Sequence, residues 1–256
     1  MSGRVAIVTG GLTGIGLASA AALQKAGHRV AIGSRRGNED DFAGIQARER
    51  LGDSVFIGKL DVTDDGSVAD FCNKTKEHFG IPTILVNSHG IYAEASLTDH
   101  PDDAWFEQID INLNGVFRMV RALFPGMIAE NHGRIANISS TAGHVGAAKY
   151  AAYCASKAGV IGLSKAIAVE GAPHNITCVS ISPTWIETPM MERATIRHAE
   201  AKGTTKEVAY ENLQKSNPQK RIVQPEEIGN LVAFCCSDAS PALTNEDIQV
   251  NAGAFW

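Results

Sequence analysis

Val5-Ala6-Ile7-Val8-Thr9-Gly10-Gly11-Leu12-Thr13-Gly14-Ile15-Gly16 sets the architecture of the whole chain. Its first five residues are apolar or β-branched and strand-sized, and from Ile15 to Ala26 the composition is helical. The turn between them is rich in glycine, which lets the backbone swing sharply and come close to a ligand. The helix that follows offers unpaired N–H groups and a positive dipole end to an anion. Strand, glycine turn and helix in that order suit the pyrophosphate of a dinucleotide, with Thr9, Gly10, Gly14, Ile15 and Gly16 at the contact.

Outward from this unit the same alternation continues. Strand-sized runs fall at Arg29–Gly33, Val55–Gly58, Thr83–Asn87, Arg134–Ser139, Ile176–Ser182 and Ile248–Val250. Helical stretches fall at Gly66–His78, Asp102–Ala129, Tyr150–Glu170 and Pro225–Cys235. Several strands are apolar on consecutive residues, as strands covered on both faces are, and alternation with helices implies parallel pairing through crossovers. The expected fold is α/β: one domain over residues 1–256, a doubly wound, mostly parallel seven-stranded sheet with helices on both faces. The polar, charged stretch Thr188–Asn217 stands apart, and reads either as a substrate lid or as a solvated pair of helices.

Composition narrows the partners. The chain has 256 residues, 20% of them charged, a net charge of −5 and no basic block, so nucleic acid and anionic membrane are excluded and a small-molecule partner is expected. The apolar run Val5–Val8 is too short for a signal or a membrane span, which points to the cytosol. Five cysteines without CxxC spacing read as reduced thiols, and eight histidines without an HxxxH arrangement supply no metal site.

After the second strand comes Ser34-Arg35-Arg36, with no carboxylate at the strand end to meet a ribose 2′-hydroxyl. Two guanidinium groups there would neutralise a 2′-phosphate, which favours NADP over NAD, although Glu39, Asp40 and Asp41 are near enough to take up their charge. Tyr153 and Lys157 stand four residues apart in a helical segment and therefore share a face. Bringing a phenol from about 10 to about 7 asks a site for roughly 4 kcal/mol, and a neighbouring ammonium supplies part of it. Ser140 lies at the end of the fifth strand, where doubly wound sheets place ligands, and its hydroxyl can donate to a substrate oxygen. Asn112 is out of place in an apolar helix unless its amide has a task, such as holding a water; Asn114 competes for that role.

Taken together these residues resemble the short-chain dehydrogenase/reductase family over essentially the whole chain. The family's TGxxxGxG matches Thr9 to Gly16, its catalytic Ser, Tyr and Lys fall on Ser140, Tyr153 and Lys157, and its helix Asn falls on Asn112. The resemblance implies a Rossmann fold and hydride transfer between NAD(P)(H) and a carbonyl or secondary alcohol, with the tyrosine as general acid and base. It also implies that Asp61 and Val62 reach the adenine, that Asn87, Gly90 and Pro183 border the cofactor, that Thr188 holds the nicotinamide carboxamide with Ile186 nearby, and that the protein is a homotetramer or dimer. A 3-oxoacyl or acetoacetyl thioester reductase and a 3-hydroxy acid dehydrogenase are alternatives within the family, and an NADP-binding sensor or scaffold is the non-enzymatic one. Two departures stand out: His89 in Asn87-Ser88-His89-Gly90, where the family has alanine, and Thr184 after Pro183, where it has glycine. On family-equivalent loops Tyr92, His144, Tyr150, Trp185, Met190 and Met191 are the candidates for substrate contact, and Arg193 and Arg197 are cations of the possible lid.

Overall fold

The computed structural model describes residues 3–35 and 54–254, so Arg36, Glu39, Asp40 and Asp41 lie outside the described residues. Among the described residues seven strands form one sheet: β1 (Val5–Thr9), β2 (Arg29–Ser34), β3 (Val55–Lys59), β4 (Pro82–Asn87), β5 (Gly133–Ile138), β6 (Ile176–Pro183) and β7 (Asp247–Val250). Their order is β3-β2-β1-β4-β5-β6-β7, and every pairing is parallel. The order reverses between β1 and β4, and at such a switch the two flanking loops part and leave a crevice above the strand ends.

The consecutive apolar residues divide between two cores. Ala6, Val8, Val30, Ile32, Ile84 and Val86 face one, under α1 (Gly14–Lys25) and α8 (Pro225–Cys235). Ile7, Ala31, Leu85 and Ile135 face the other, under α2 (Asp65–Phe79), α4 (Gly115–Ala129) and α5 (Ala151–Gly171). Because successive side chains of a strand point to opposite faces, a strand buried on both must be apolar throughout, and β1 is buried at all five positions.

The single helix expected over Asp102–Ala129 is interrupted. It runs as α3 (Asp102–Ile109), a π-helical turn (Asp110–Asn114) and then α4. One extra residue in that turn rotates the following helix and aims Asn112 inward, the use to which such π-turns are commonly put. Thr188–Asn217 folds as two helices, α6 (Pro189–Lys202), capped by Thr188, and α7 (Lys206–Ser216), capped by Thr205. Among the described residues no helix is long and apolar enough to cross a membrane.

Candidate active site

A cleft of about 1620 Å³ opens above the carboxyl ends of the strands. Its phosphate end is the turn between β1 and α1. Gly10 and Gly14 take left-handed backbone, φ +65° and +53°, and a Cβ on Gly14 would lie 2.8 Å from Thr188 Cγ2 across the cleft. The start of α1 has no side-chain cap and no acidic residue in its first turn, whereas Asp64, Thr188 and Thr205 cap α2, α6 and α7. Its N–H groups are thus left to an anion, and the residues present fit a dinucleotide pyrophosphate. Ile15 lines the cleft, but Gly16 packs under the turn, where a Cβ would sit 2.4 Å from the Gly10 carbonyl oxygen. Thr9 is also below the surface: its hydroxyl accepts from the Ser88 N–H at 3.2 Å and ties the ends of β1 and β4 together.

Farther along, Ser34, Arg35, Asp61, Val62, Gly90, Pro183, Ile186 and Thr188 line the same cleft. Burial works to raise the Asp61 carboxyl, but hydrogen bonds from the Thr63 hydroxyl (2.7 Å) and N–H (3.0 Å), with the charges of Arg35 and Lys59, hold it below its usual range. Asn87 is a floor residue rather than a lining one, its amide donating to Asn137 Oδ1 at 2.8 Å. Asn137 in turn donates to Ser164 Oγ at 2.9 Å.

At the other end the structure brings Ser140, Tyr153 and Lys157 to one wall. Burial pushes the Tyr153 phenol up to about 12, with the Ser140 hydroxyl beside it pulling the other way. Burial also drives the Lys157 ammonium down to about 8; its Nζ donates to the Ile138 carbonyl at 2.9 Å and stands 5.8 Å from the centre of the Tyr153 ring. The expected lowering of the phenol by the ammonium is not among the influences on Tyr153, whose value burial sets, and the ammonium donates to the Ile138 carbonyl instead.

Asn112 and Asn114 separate cleanly. Asn114 faces solvent and donates to Asp110. Asn112 is fully buried; its Oδ1 accepts from the Ile91 N–H at 2.8 Å while its Nδ2 donates to the Ile91 carbonyl at 2.9 Å and to Ser156 Oγ at 3.1 Å. That amide clamps the segment after β4 onto α5.

Of the candidates for substrate contact, Tyr92, Tyr150, Trp185, Met190 and Met191 line the cleft. Tyr92 stands edge-on to Tyr153, ring centres 6.1 Å apart, and stacks on Tyr150 at 6.0 Å. His144 is a correction: it does not line the cleft but turns back to the sheet, with Nε2 2.8 Å from Asp247 Oδ2. Asp247, side chain 7% exposed, also accepts from the buried Ser180 and Ser182 hydroxyls at 2.5 and 2.8 Å. An acceptor so placed outcompetes an open pocket, which explains the turn of the imidazole. The sequence reading also missed Glu94, which accepts from the Tyr150 hydroxyl at 2.9 Å, and His198, whose Nε2 is 3.2 Å from that hydroxyl. No local pattern marks either one; Asn137, a polar residue inside an apolar strand, did carry a signal.

Comparison with known proteins agrees with this geometry. A family model described as enoyl-(acyl carrier protein) reductase matches residues 10–254. The chain is 36% identical over 253 residues to an acetoacetyl-CoA reductase of Shinella zoogloeoides, covering 99% of each. It is 33% identical over 259 residues to a D-beta-hydroxybutyrate dehydrogenase of Cupriavidus necator, covering 100% of this chain and 96% of that one. Among solved structures, a single-substitution variant of an actinorhodin polyketide ketoreductase with NADPH superposes with a TM-score of 0.94 at 31% identity, covering 99% of this chain and 98% of that one.

Proposed function

The chain belongs to the short-chain dehydrogenase/reductase family and is an oxidoreductase of carbonyl and alcohol groups, and from that premise we propose that Tyr153 is its proton donor in the reductive direction. The observation that carries the proposal is the placement of Tyr153 beside Ser140 on one wall of the cleft, with the Lys157 ammonium 5.8 Å from the centre of its ring. The phenol carries its proton at neutral pH and can give it to a carbonyl oxygen as negative charge builds there. A bound reduced nicotinamide supplies the hydride.

Ser140 donates a hydrogen bond to the same oxygen and stabilises it as it becomes negative. Lys157, driven to about 8 and still mostly charged at neutral pH, offers its remaining donors to a ribose hydroxyl and steadies the phenolate once the proton has left. Asn112 is a positioning residue: through Ile91 and Ser156 it fixes the wall opposite and the helical turn that carries Tyr153.

NADP is the proposed cofactor, supported by Arg35 at the ribose end of the cleft and by the absence of a carboxylate on Ser34 or Arg35. The relatives' names place 3-oxoacyl thioesters and 3-hydroxy acids among the substrates to test. Helix α6 is proposed as the substrate lid, because Met190, Met191, Arg193, Ile196 and Arg197 all reach the cleft from it. A dimer or tetramer is supported by Phe106, Phe117 and Val169, exposed at 66%, 47% and 66% on α3, α4 and α5. Free cysteines throughout the described residues suit the reducing cytosol.

The test is oxidation of NADPH and NADH, followed by absorbance, across a panel of ketones, oxo acids and oxo thioesters. Tyr153→Phe should cut turnover by about a hundred- to ten-thousandfold with dinucleotide affinity unchanged. Substantial turnover by that variant refutes the assignment.

A further inference from the structure

Among the described residues, helix α6 brings two cations to the cleft that pair with no acidic side chain. Arg193 and Arg197 stand one helical turn apart, both line the cleft, and among the described residues neither forms an ion pair. Of the acids nearby, Glu192 pairs with Lys206 at 2.6 Å, while Glu187 and Glu94 accept from the Tyr210 and Tyr150 hydroxyls at 2.6 and 2.9 Å and keep their charge without contacting either arginine. Glu200, which also reaches the cleft from α6, pairs with neither arginine.

The position of Arg197 is specific. Its guanidinium carbon lies 4.6 Å from the centre of the Tyr92 ring, and that ring is edge-on to Tyr153 at 6.1 Å. The charge is therefore no farther from the Tyr153 ring than those two separations combined. Burial raises the Tyr92 phenol and the Glu94 carboxylate adds to the rise, while Arg197 and, more weakly, Arg193 oppose it, so both cations reach the one ring. A guanidinium laid on an aromatic face is partly desolvated there, yet its N–H edge stays open to an oxyanion, which it can take bidentately.

We propose that Arg193 and Arg197 form an oxyanion subsite, so that the substrate is a short carbonyl compound bearing a carboxylate a few bonds from the reacting carbon. The proposal rests on the reading of Tyr153 as the reacting end of the cleft. The short reach from Arg197 to Tyr153 selects a carboxylate of the substrate itself over the phosphate of a long carrier arm. Trp185, Met190 and Ile196 give the carbon chain an apolar wall.

Both arginines are exposed, so Arg193→Gln/Arg197→Gln is expected to fold, which circular dichroism checks. Calorimetry on the dinucleotide-bound protein would titrate 2-, 3- and 4-hydroxy acids and their methyl esters. At least one acid should bind the wild type better than its ester and bind the double variant about ten- to a hundredfold more weakly, with ester binding unmoved. In turnover, kcat/KM for the matching oxo acid should fall by the same factor and that for its methyl ester should stay level. Equal binding of every acid by the two proteins, or no preference of the wild type for any acid over its ester, overturns the subsite. A variant that loses only oxo thioester turnover assigns the cations to a carrier phosphate and overturns it too. Charge-selective binding without turnover of any carbonyl would uphold the subsite and strike the reading of Tyr153 instead.

Discussion

Lys157→Met should make the protein without nucleotide more pH-indifferent, by an amount set by burial of the ammonium. Lys157 is 4% exposed, and its pKa falls from an ordinary 10.5 to about 8. A lysine whose folded value is depressed binds its proton less readily in the folded chain than in the unfolded one. Its penalty is therefore full below about pH 8, shrinks as pH rises through the interval between the two values, and vanishes above the unfolded one. At about 1.4 kcal/mol per unit the full penalty is roughly 3 kcal/mol, of which about 2.5 kcal/mol disappears between about pH 7 and about pH 10. Methionine fills similar volume without charge but leaves the Ile138 carbonyl without its donor, a constant cost of about 1–3 kcal/mol that does not vary with pH. Thiols such as Cys72 and Cys178, raised to about 12, and the Tyr153 phenol also bend the profile at high pH, but they are common to both proteins. The measurement is urea unfolding by fluorescence at fixed protein concentration, taken as the stability of the variant minus that of the wild type. That difference should fall by about 2.5 kcal/mol over the interval; a flat difference means that the ammonium is solvated, and the reasoning from burial fails.

Gly14→Ala places a Cβ in left-handed backbone and 2.8 Å from Thr188 Cγ2, so dinucleotide affinity should drop at least about tenfold by fluorescence titration; unchanged affinity would remove this turn from the cofactor site. Asp247→Ala should cost about 2–4 kcal/mol in urea unfolding and more than His144→Ala, because only the first strands the buried Ser180 and Ser182 hydroxyls. The reverse order would mean that His144, not the serines, carries that network.

The fold was legible because its deciding signals are local. A strand buried on both faces must be apolar at every position, and the glycine turn after β1 announces itself within a few residues. Tyr153 and Lys157 were legible for the same reason, one helical turn being a sequence property. What escaped depends on long-range partners. His144 belonged to the cleft by position, but Asp247, 103 residues away in the chain, claims it. Arg36 falls outside the described residues, and the choice of NADP over NAD leans on Arg35. The break in the helix over Asp102–Ala129 had no compositional mark, because a π-turn is made by an added residue rather than by a breaker, and only the amide of Asn112 hinted at it.

That same turn explains how the chain tolerates its His89. The imidazole Nδ1 is 2.6 Å from the Thr9 hydroxyl, and its far edge fits the hollow beside Gly115, where a Cβ would lie 2.8 Å from Nε2 and 2.7 Å from Val62 Cγ2. Gly115 is the residue at which the π-turn passes into α4, so the hollow and the inward aim of Asn112 have one origin. Burial, with the charge of Lys157 added, presses His89 down to about 3. The ring is thus neutral throughout the working range and brings no second cation to compete with Lys157 for a phenolate. The space left by Gly115 is what the ring needs; any larger residue at 115 should displace His89 and break its contact with the Thr9 hydroxyl.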